Sequence, residues 1–122
     1  MARDVRELKV FQRAYVLALE VHRATQAWSK AEQYGGMADQ LRRATKSVCA
    51  LLAEGSGRQQ ASGAEFRRYV MMALGSADEA AVWCMFAGDL GLAVPGQAQA
   101  WQAECREVAR MLQGLLKHLS GL

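Results

Sequence analysis

Apolar residues recur at helical spacing along nearly the whole chain, in four stretches separated by short polar or glycine-containing breaks. Apolar positions at i, i+3, i+4 and i+7 line one face of an α-helix. The pattern predicts four helices at about residues 4–28, 37–54, 62–87 and 95–119. Because the connections are short, neighbouring helices should run antiparallel. The sequence therefore predicts one all-α domain over residues 1–122, an up-down-up-down four-helix bundle.

The first predicted helix has an apolar surface wider than one core contact needs. Two adjacent stripes make up this surface, one formed by Leu8, Phe11, Tyr15, Ala18 and His22, and the other by Val10, Ala14, Leu17, Val21, Ala24 and Trp28. A helix with an apolar face this wide usually contacts its own bundle on one side and another subunit on the other. The pattern therefore predicts self-association.

Glycine and serine residues mark the expected boundary between the second and third helices. Gly55-Ser56-Gly57 should end the second helix, because glycine tolerates the left-handed conformation of a helix C-cap. Ser62-x-x-Glu65 matches a capping box, in which the serine caps the first turn and the glutamate bonds back. This motif predicts the start of the third helix.

Two further residues carry structural predictions of their own. Gly75 lies in the middle of the third helix. Glycine at such a position costs about 1 kcal/mol relative to alanine. A close helix crossing would offset this cost, so we expect one at Gly75. Pro95 suits the first turn of the fourth helix, where its missing N–H is not needed.

Composition favours a protein of the reducing cytoplasm, without membrane contact. The chain is 52% hydrophobic. No apolar run approaches the roughly 18 residues that span a bilayer, and the charged N-terminus does not resemble a secretory signal. Cys49, Cys84 and Cys105 are odd in number and widely spaced, which indicates neither a disulfide framework nor a zinc site. We expect all three to be core residues.

No catalytic or cofactor motif emerges from the residues. Neither His22 nor His118 follows a glutamate by three positions, as di-iron bundles require. Gly55-x-Gly57-Arg58 follows a predicted helix rather than a strand, and it lacks the spacing of a phosphate-binding loop. We therefore predict a non-enzymatic protein with no catalytic residues, no metal and no cofactor. A helical enzyme with an arginine-lined anion pocket is a remaining alternative, with a glutamate as its general acid or base.

Charge is distributed unevenly along the chain, which has a net charge of +3. Residues 1–70 carry +5 and residues 71–122 carry −2. The candidate contacts to nucleic-acid phosphates are Arg42, Arg43, Lys46, Arg58 and Arg68. Phosphate binding needs several such cations on one surface, and its affinity falls with salt. Two interpretations stay open: binding of RNA or DNA, or ion pairs within and between subunits. The carboxylates available for such pairs are Glu54, Glu65 and Glu79.

Six short segments between about residues 8 and 91 match a known family in order. They are Leu8-x-Val10-Phe11-Gln12-x-Ala14, Gln40-Leu41-Arg42-Arg43-Ala44-x-x-Ser47, Leu52-Ala53-Glu54-Gly55-x-Gly57-Arg58, Glu65-Phe66-x-Arg68-Tyr69, Ala73-Leu74-Gly75-Ser76-x-x-Glu79 and Asp89-Leu90-Gly91. Together they resemble the bacterial four-helix bundle family, also called the 23S rRNA intervening-sequence or S23 family. The chain departs from the usual pattern at three places. The family usually has a proline near Cys49, an asparagine near Leu51 and often a second acid near Ala81.

The resemblance implies an antiparallel four-helix bundle in a ring-like homo-oligomer, with a homopentamer favoured. It also implies a structural or oligomer role for one set of residues: Glu54, Gly55, Gly57, Gly75 and Glu79. A distant similarity to accessory proteins of diversity-generating retroelements, which bind nucleic acid and a reverse transcriptase, points to RNA or DNA as a partner. The expectation is an oligomeric helical-bundle protein that binds RNA or DNA through a basic face. The alternative is an assembly or scaffold module with no nucleic-acid contact, or with a protein partner.

Overall fold

The computed structural model describes residues 4–58 and 63–120 of the 122-residue chain. Within these residues lie a short 3-10 helix, Val5–Glu7, and five α-helices: α1 (Lys9–Thr25), α2 (Lys30–Gln33), α3 (Met37–Arg58), α4 (Gly63–Asp89) and α5 (Gln97–Ser120). The four long helices α1, α3, α4 and α5 form the bundle, and α2 is one turn in the connection from α1 to α3. The predicted all-α class is confirmed.

The four long helices run alternately up and down. Between α1 and α5, Arg13 contacts Glu104 and Glu20 contacts Trp101. A later residue of one helix thus meets an earlier residue of the other, so these two helices are antiparallel. The same order holds for the pairs α1–α3, α3–α4 and α4–α5. The predicted up-down-up-down bundle is confirmed.

The core consists of two apolar clusters that follow each other along the bundle. The first contains Val10, Ala14, Val48, Leu52, Phe66, Val70, Ala73, Ala77, Val108, Ala109, Leu112 and Leu119. The second contains Leu17, Val21, Leu41, Ala44, Ala80, Ala81, Cys84, Trp101 and Cys105. In α1 the predicted stripe that starts at Val10 supplies the core, whereas Tyr15 of the other stripe is 50% exposed. Ala18 of that stripe is buried as well, and Leu8 and Phe11 pack partly against the first cluster, so part of the stripe remains on the outside of α1.

Gly55 does not end α3, contrary to the prediction from the sequence. The helix continues to Arg58, and neither Gly55 nor Gly57 has a positive φ. Gly55 is buried where α3 crosses α4, and a Cβ there would lie 2.5 Å from Cβ of Tyr69. The residue is glycine because the two helices approach closely, and no left-handed cap is involved. Ser62 of the predicted capping box lies outside the described residues.

The close crossing predicted at Gly75 is absent from the described bundle. Gly75 is on the exposed side of α4, and a Cβ there would meet nothing within 4 Å. The buried positions of α4 nearest to it are Ala73 and Ala77, so the glycine faces away from α3 and α5. Gly55, and not Gly75, lies at the close crossing of α3 and α4. Gly75 lies on the outer surface of α4, where it adds no side chain.

Other helix ends also differ from the predicted ones, and α1, predicted from about residue 4, begins at Lys9 after the 3-10 helix. α1 ends at Thr25, three residues early, because the side chain of Gln33 donates to the carbonyl oxygens of Thr25 and Trp28. α5 begins at Gln97, since Gly96 has a φ of +84°. Pro95 therefore precedes the helix, in a turn closed by a 3.0 Å bond from N of Gln97 to O of Val94. Proline followed by left-handed glycine is typical of a type II turn.

α4 is apolar on both its inner and its outer side. By length and composition it is the one helix among the described residues that meets the requirements for a membrane span, and 39% of its most apolar window is buried. Core helices of soluble proteins meet the same requirements. The inner side of α4 packs between α3 and α5, whereas its outer side has no neighbour within the described chain.

Candidate interaction surfaces

The five basic residues singled out from the sequence do not form one surface. Arg58 and Arg68 lie where α3 ends and α4 begins, whereas Arg42, Arg43 and Lys46 lie in the first half of α3, beside the end of α1. About 12 to 16 residues of α3 separate the two groups, which corresponds to roughly 20 Å along the helix. The structure therefore divides the predicted basic face into two sites.

The first site is a closed cluster in which every charge has a partner of opposite sign. We define the closed cluster as Glu54, Arg58, Glu65, Arg68 and Tyr69. The guanidinium of Arg58 lies 3.5 Å from Oε2 of Glu54 and 3.8 Å from Oε2 of Glu65. Nε of Arg68 donates to Oε1 of Glu65 at 3.2 Å. This hydrogen bond is the main reason why the pKa of Glu65 is lowered.

Tyr69 ties the closed cluster to the bundle. Its hydroxyl donates to Oε2 of Glu54 at 2.9 Å, and its ring is buried against Gly55. Both guanidiniums stand over this ring, that of Arg58 at 5.3 Å and that of Arg68 at 5.0 Å from the centroid. Cation–π contacts of this kind add to the ion pairs. The cluster is satisfied within one chain, which argues against Arg58 and Arg68 as unpaired phosphate contacts.

The second site is an open cluster formed by His22, Arg42 and Lys46. Nζ of Lys46 lies 2.9 Å from Nδ1 of His22. Nε of Arg42 donates to Oγ1 of Thr25 at 2.8 Å, while its Nη2 is buried without a hydrogen-bond partner. Among residues 4–58 and 63–120, no carboxylate lies within 4 Å of these three side chains. The open cluster is therefore a concentration of positive charge with no ion pair among the described residues, although Asp39, one turn earlier on α3, interacts with Arg42 at longer range.

The electrostatics of His22 reflect this excess of positive charge. Burial lowers its pKa first, and the neighbouring cations Lys46, Arg42 and Arg23 lower it further. A neutral His22 accepts the hydrogen bond from Lys46, which makes the neutral form the one that fits the cluster. An anion placed here would act in the opposite direction and raise the pKa of His22.

Arg42 and Arg43 differ although they are adjacent in sequence. Arg43 is exposed and pairs with Asp39, one turn earlier, at 3.1 Å. Asp39 has a lowered pKa because the backbone N–H of Gly35 and the side chain of Arg43 both donate to it. Arg42 was expected beside Arg43 on the outer face, but its side chain turns towards the end of α1. Among the three predicted phosphate contacts in the first half of α3, Arg43 and Lys46 are thus the exposed ones.

An apolar groove between α1 and α3 adjoins the open cluster. We call it the α1–α3 groove, and its volume is about 550 Å³. Its lining consists of Phe11, Tyr15, Ala18, Leu19, His22, Lys46, Cys49, Ala50 and Ala53. His22 and Lys46 close one end with polar groups, and the remaining lining is almost wholly apolar. On α1 the groove contains Phe11, Tyr15, Ala18 and His22, which belong to the wide apolar face from which the sequence predicted self-association.

The outer side of α4 carries a second exposed apolar surface. We call it the outer stripe, formed by Met72, Gly75, Glu79, Val82 and Phe86, at alternating steps of three and four residues. The side chains of Met72, Val82 and Phe86 are 43%, 46% and 49% exposed. Glu79 is the one acid within the stripe, and the indole N–H of Trp83 donates to its Oε2 at 2.9 Å.

Sequence reasoning missed the outer stripe as a continuous surface, although it carried a signal. The inward residues of α4 follow the helical period, and Val82 and Phe86 fall outside that set of positions. The signal was a second set of positions on α4, those of the outer stripe, which have the same spacing of three and four residues but lie on the opposite side of the helix. Met71, Met72 and Met85 of α4 are all exposed.

The cysteines have the environment of structural residues. Cys84 and Cys105 are buried side by side between α4 and α5, and Cys49 is half-buried in the α1–α3 groove. Burial raises the pKa of the Cys49 thiol to about 11, which disfavours the nucleophilic thiolate. In the part of the chain that the structure describes, no group of three His, Cys, Asp or Glu side chains has the arrangement of a metal site.

Fold and surfaces together define an antiparallel four-helix bundle protein with two uncovered apolar surfaces. The model of the family described as 23S rRNA-intervening sequence protein matches residues 6–114. The chain therefore belongs to the 23S rRNA-intervening sequence protein family.

A solved structure shares this fold. It is a protein of unknown function from the S23 ribosomal protein family of Bacteroides thetaiotaomicron VPI-5482. The two share 19% identity with a TM-score of 0.76, over 88% of this chain and 98% of the other. A comparison with curated proteins found no match. At this identity the likeness concerns the fold alone.

Proposed function

We propose that this protein is a non-enzymatic assembly module that forms homo-oligomers through the outer stripe of α4. The main observation in support is that Met72, Val82 and Phe86 are exposed on a helix whose opposite side is buried in the core. Alternating steps of three and four residues are the spacing at which one helix packs along another. An apolar stripe of this kind on a bundle surface is characteristic of a subunit interface.

The ion pairs of the closed cluster support assembly over nucleic-acid binding. Three of the five candidate phosphate contacts, Arg43, Arg58 and Arg68, already have carboxylate partners in the same chain. A fourth, Arg42, is turned inward towards Thr25. A ring-like homopentamer is the assembly we favour, because the family resemblance implies it. A reducing cytoplasm without membrane contact is part of the same proposal, supported by three unpaired thiols.

Light scattering coupled to size exclusion tests the proposal directly. We expect the native protein to have a mass several times the 13.4 kDa of one chain. Val82→Glu places a charge in the outer stripe and should return the mass to one chain. Gln113→Glu, at an exposed position of α5, is the matched control because it also adds one negative charge.

Two outcomes of the light-scattering experiment would contradict the proposal. A native protein that stays at 13.4 kDa in concentrated solution would overturn the proposal, and so would a Val82→Glu variant with the native mass. Circular dichroism of each variant should show the native helical signal. Binding of the native protein to neutral lipid vesicles, lost in Val82→Glu, would instead assign the outer stripe to a membrane.

Binding of RNA or DNA is the second candidate, and one observation favours it. Arg43 and Lys46 project towards solvent on one side of α3, and Lys46 has no carboxylate partner among the described residues. The name of the family refers to an intervening sequence in 23S rRNA, which makes structured RNA a sensible first ligand.

Fluorescence anisotropy over a salt series separates the two candidates. If phosphates bind here, labelled structured RNA or duplex DNA should bind at low salt, and affinity should fall steeply as salt rises. Arg43→Glu should abolish this binding, whereas Arg58→Glu should retain most of it. Unchanged anisotropy at low salt would remove nucleic-acid binding and leave the assembly proposal standing.

A further inference from the structure

We infer that the assembly is head-to-tail: the outer stripe of α4 in one copy lies in the α1–α3 groove of the next, with Glu79 facing Lys46. The inference rests on the proposed function and extends it by naming both surfaces of the contact. A contact between two different surfaces closes into a ring or continues as a filament, according to the rotation between copies.

Charge complementarity is the first argument. The outer stripe has a single acid, Glu79, and the groove ends in His22 and the cation Lys46. Among the described residues, Glu79 has no cation within 4 Å and the open cluster has no acid within 4 Å. Burial of either charge without a partner would be costly. Brought together, each surface supplies the charge that the other lacks.

The buried guanidinium of Arg42 also favours a contact with an acid from another copy. Its Nη2 is removed from solvent without a hydrogen-bond partner, which is an uncommon state for a polar group. A carboxylate arriving at Lys46, one turn along α3, would enter the field of both cations. It would also reduce the repulsion that now lowers the pKa of His22.

Size and shape form the second argument. From Phe11 to His22 the groove extends over three turns of α1, and eleven helical steps span roughly 16 Å. From Met72 to Phe86 the outer stripe covers four turns of α4, and fourteen steps span roughly 21 Å. The groove is lined by alanines on α3, and the stripe contains Gly75 with open space around it. Small residues on both surfaces allow the helices to approach closely.

A symmetric contact of α4 with α4 of a second copy fits less well. Glu79 lies at the middle of the stripe, so a two-fold axis through the stripe would bring two Glu79 carboxylates together. Like charges in an apolar contact are destabilising. Such a pair would also leave the α1–α3 groove and the open cluster uncovered. With Glu79 at the Lys46 end of the groove, the head-to-tail arrangement places half of the outer stripe in the groove and brings both apolar surfaces into a single type of contact.

A mixing experiment distinguishes the two arrangements. Ala50→Glu blocks the groove but leaves the outer stripe intact, and Val82→Glu blocks the stripe but leaves the groove intact. In a head-to-tail assembly each variant alone is a monomer, because each has lost one half of the contact. Mixed in equal amounts, they retain one intact pair of surfaces and should form a one-to-one dimer with twice the 13.4 kDa mass of one chain.

Other outcomes overturn this inference, and they are distinct from failure of the proposed function. If Ala50→Glu alone keeps the native mass and the mixture gives no heterodimer, the contact is symmetric and the inference is wrong. A native protein that is itself monomeric defeats the proposed function first. Each variant needs a native helical signal and a cooperative thermal transition to count.

A charge exchange tests the pairing of Glu79 with Lys46 without relying on blocked surfaces. Lys46→Glu and Glu79→Lys should each weaken assembly about tenfold or more, because each places like charges in contact. The double variant restores an opposite pair and should recover assembly to nearly the native level. Single variants that assemble as the native protein does, or a double variant no better than the singles, would overturn the pairing.

Discussion

The closed and open clusters of α3 carry similar cations in opposite circumstances. Arg58 at one end of the helix is held between Glu54 and Glu65 and stands over Tyr69. Arg42 near the other end has a neutral hydroxyl as its one described partner, and Lys46 donates to a histidine. The closed cluster has compensated its charge within a single chain, whereas Arg42 and Lys46 have no ion pair among the described residues.

This difference shows that the position of a basic residue does not by itself reveal its partner. Arg42, Lys46 and Arg58 are all basic residues of the same helix, α3. Their roles diverge because α4 brings Glu65 to one end of α3, while α1 brings His22 to the other. A compensated cluster contributes to stability, whereas an uncompensated cluster is available for an external anion.

The largest expected effect concerns the helix crossing that supports the closed cluster. In Gly55→Ala the new Cβ would overlap the side chain of Tyr69. Overpacking of this kind should lower the free energy of unfolding by about 2 kcal/mol. In Gly57→Ala, two residues later, the new Cβ meets nothing within 4 Å. Loss of a helical glycine there should raise the free energy of unfolding by up to about 1 kcal/mol. Urea unfolding in the monomeric Val82→Glu background measures both without a contribution from assembly.

The order of these two variants is the critical result. If Gly55→Ala is at least as stable as Gly57→Ala, the crossing at Gly55 is not a close contact. The assignment of Gly55 as a packing residue would then be wrong.

A smaller effect should follow removal of one hydroxyl in the closed cluster. Tyr69→Phe deletes the 2.9 Å bond to Glu54. The loss of one such bond should cost about 1 kcal/mol of stability. Tyr15→Phe is the control, because Tyr15 is half exposed in the groove and its hydroxyl has no hydrogen bond to the described residues. Equal stabilities for the two variants, measured by chemical unfolding, would contradict the role given to Tyr69.

The same substitution at the two arginines compares the clusters directly. Arg58→Met removes two exposed ion pairs and a cation–π contact, and should lower stability by about 0.5 to 1 kcal/mol. Arg42→Met removes a partly buried charge that has no carboxylate partner among the described residues, so stability should be unchanged or higher. A larger loss at Arg42 than at Arg58 would show that the open cluster is stabilised within the chain.

The smallest effect is a pH dependence of the open cluster. The pKa of His22 in the folded chain lies below the ordinary histidine value of 6.5. Just below that ordinary value, the unfolded chain therefore binds more protons than the folded chain. The contribution of His22 to stability is fully present above that pH and falls on acidification. A His22→Gln variant in the Val82→Glu background should lose this part of the pH dependence.

Nuclear magnetic resonance of the His22 ring gives the complementary measurement. If Glu79 of another copy faces the open cluster, the pKa of His22 should be higher in the assembled protein than in the Val82→Glu monomer. An identical pKa in both states would show that Glu79 of another copy does not approach His22. The His22→Gln variant identifies the resonance, because its spectrum lacks the His22 signal.

Local sequence patterns were sufficient for the helices and for the inward side of each. The stripe that starts at Val10 in α1 identified buried positions correctly as far as Val21. Periodicity succeeds here because every turn of a helix in a bundle must bury its inner side. Helix ends were less accurate, since the end of α1 depends on a side chain from α2, Gln33.

The sequence by itself determined that this chain is an antiparallel four-helix bundle with excess positive charge in its first 70 residues, because both properties follow from residue order and composition. Only the tertiary structure decided that Gly55 is a crossing residue and Gly75 an exposed one. It also decided that Arg58 is neutralised while Lys46 is not. The physical reason is that these roles depend on which helix lies opposite, at distances of a few ångströms, and periodicity carries no information about that neighbour.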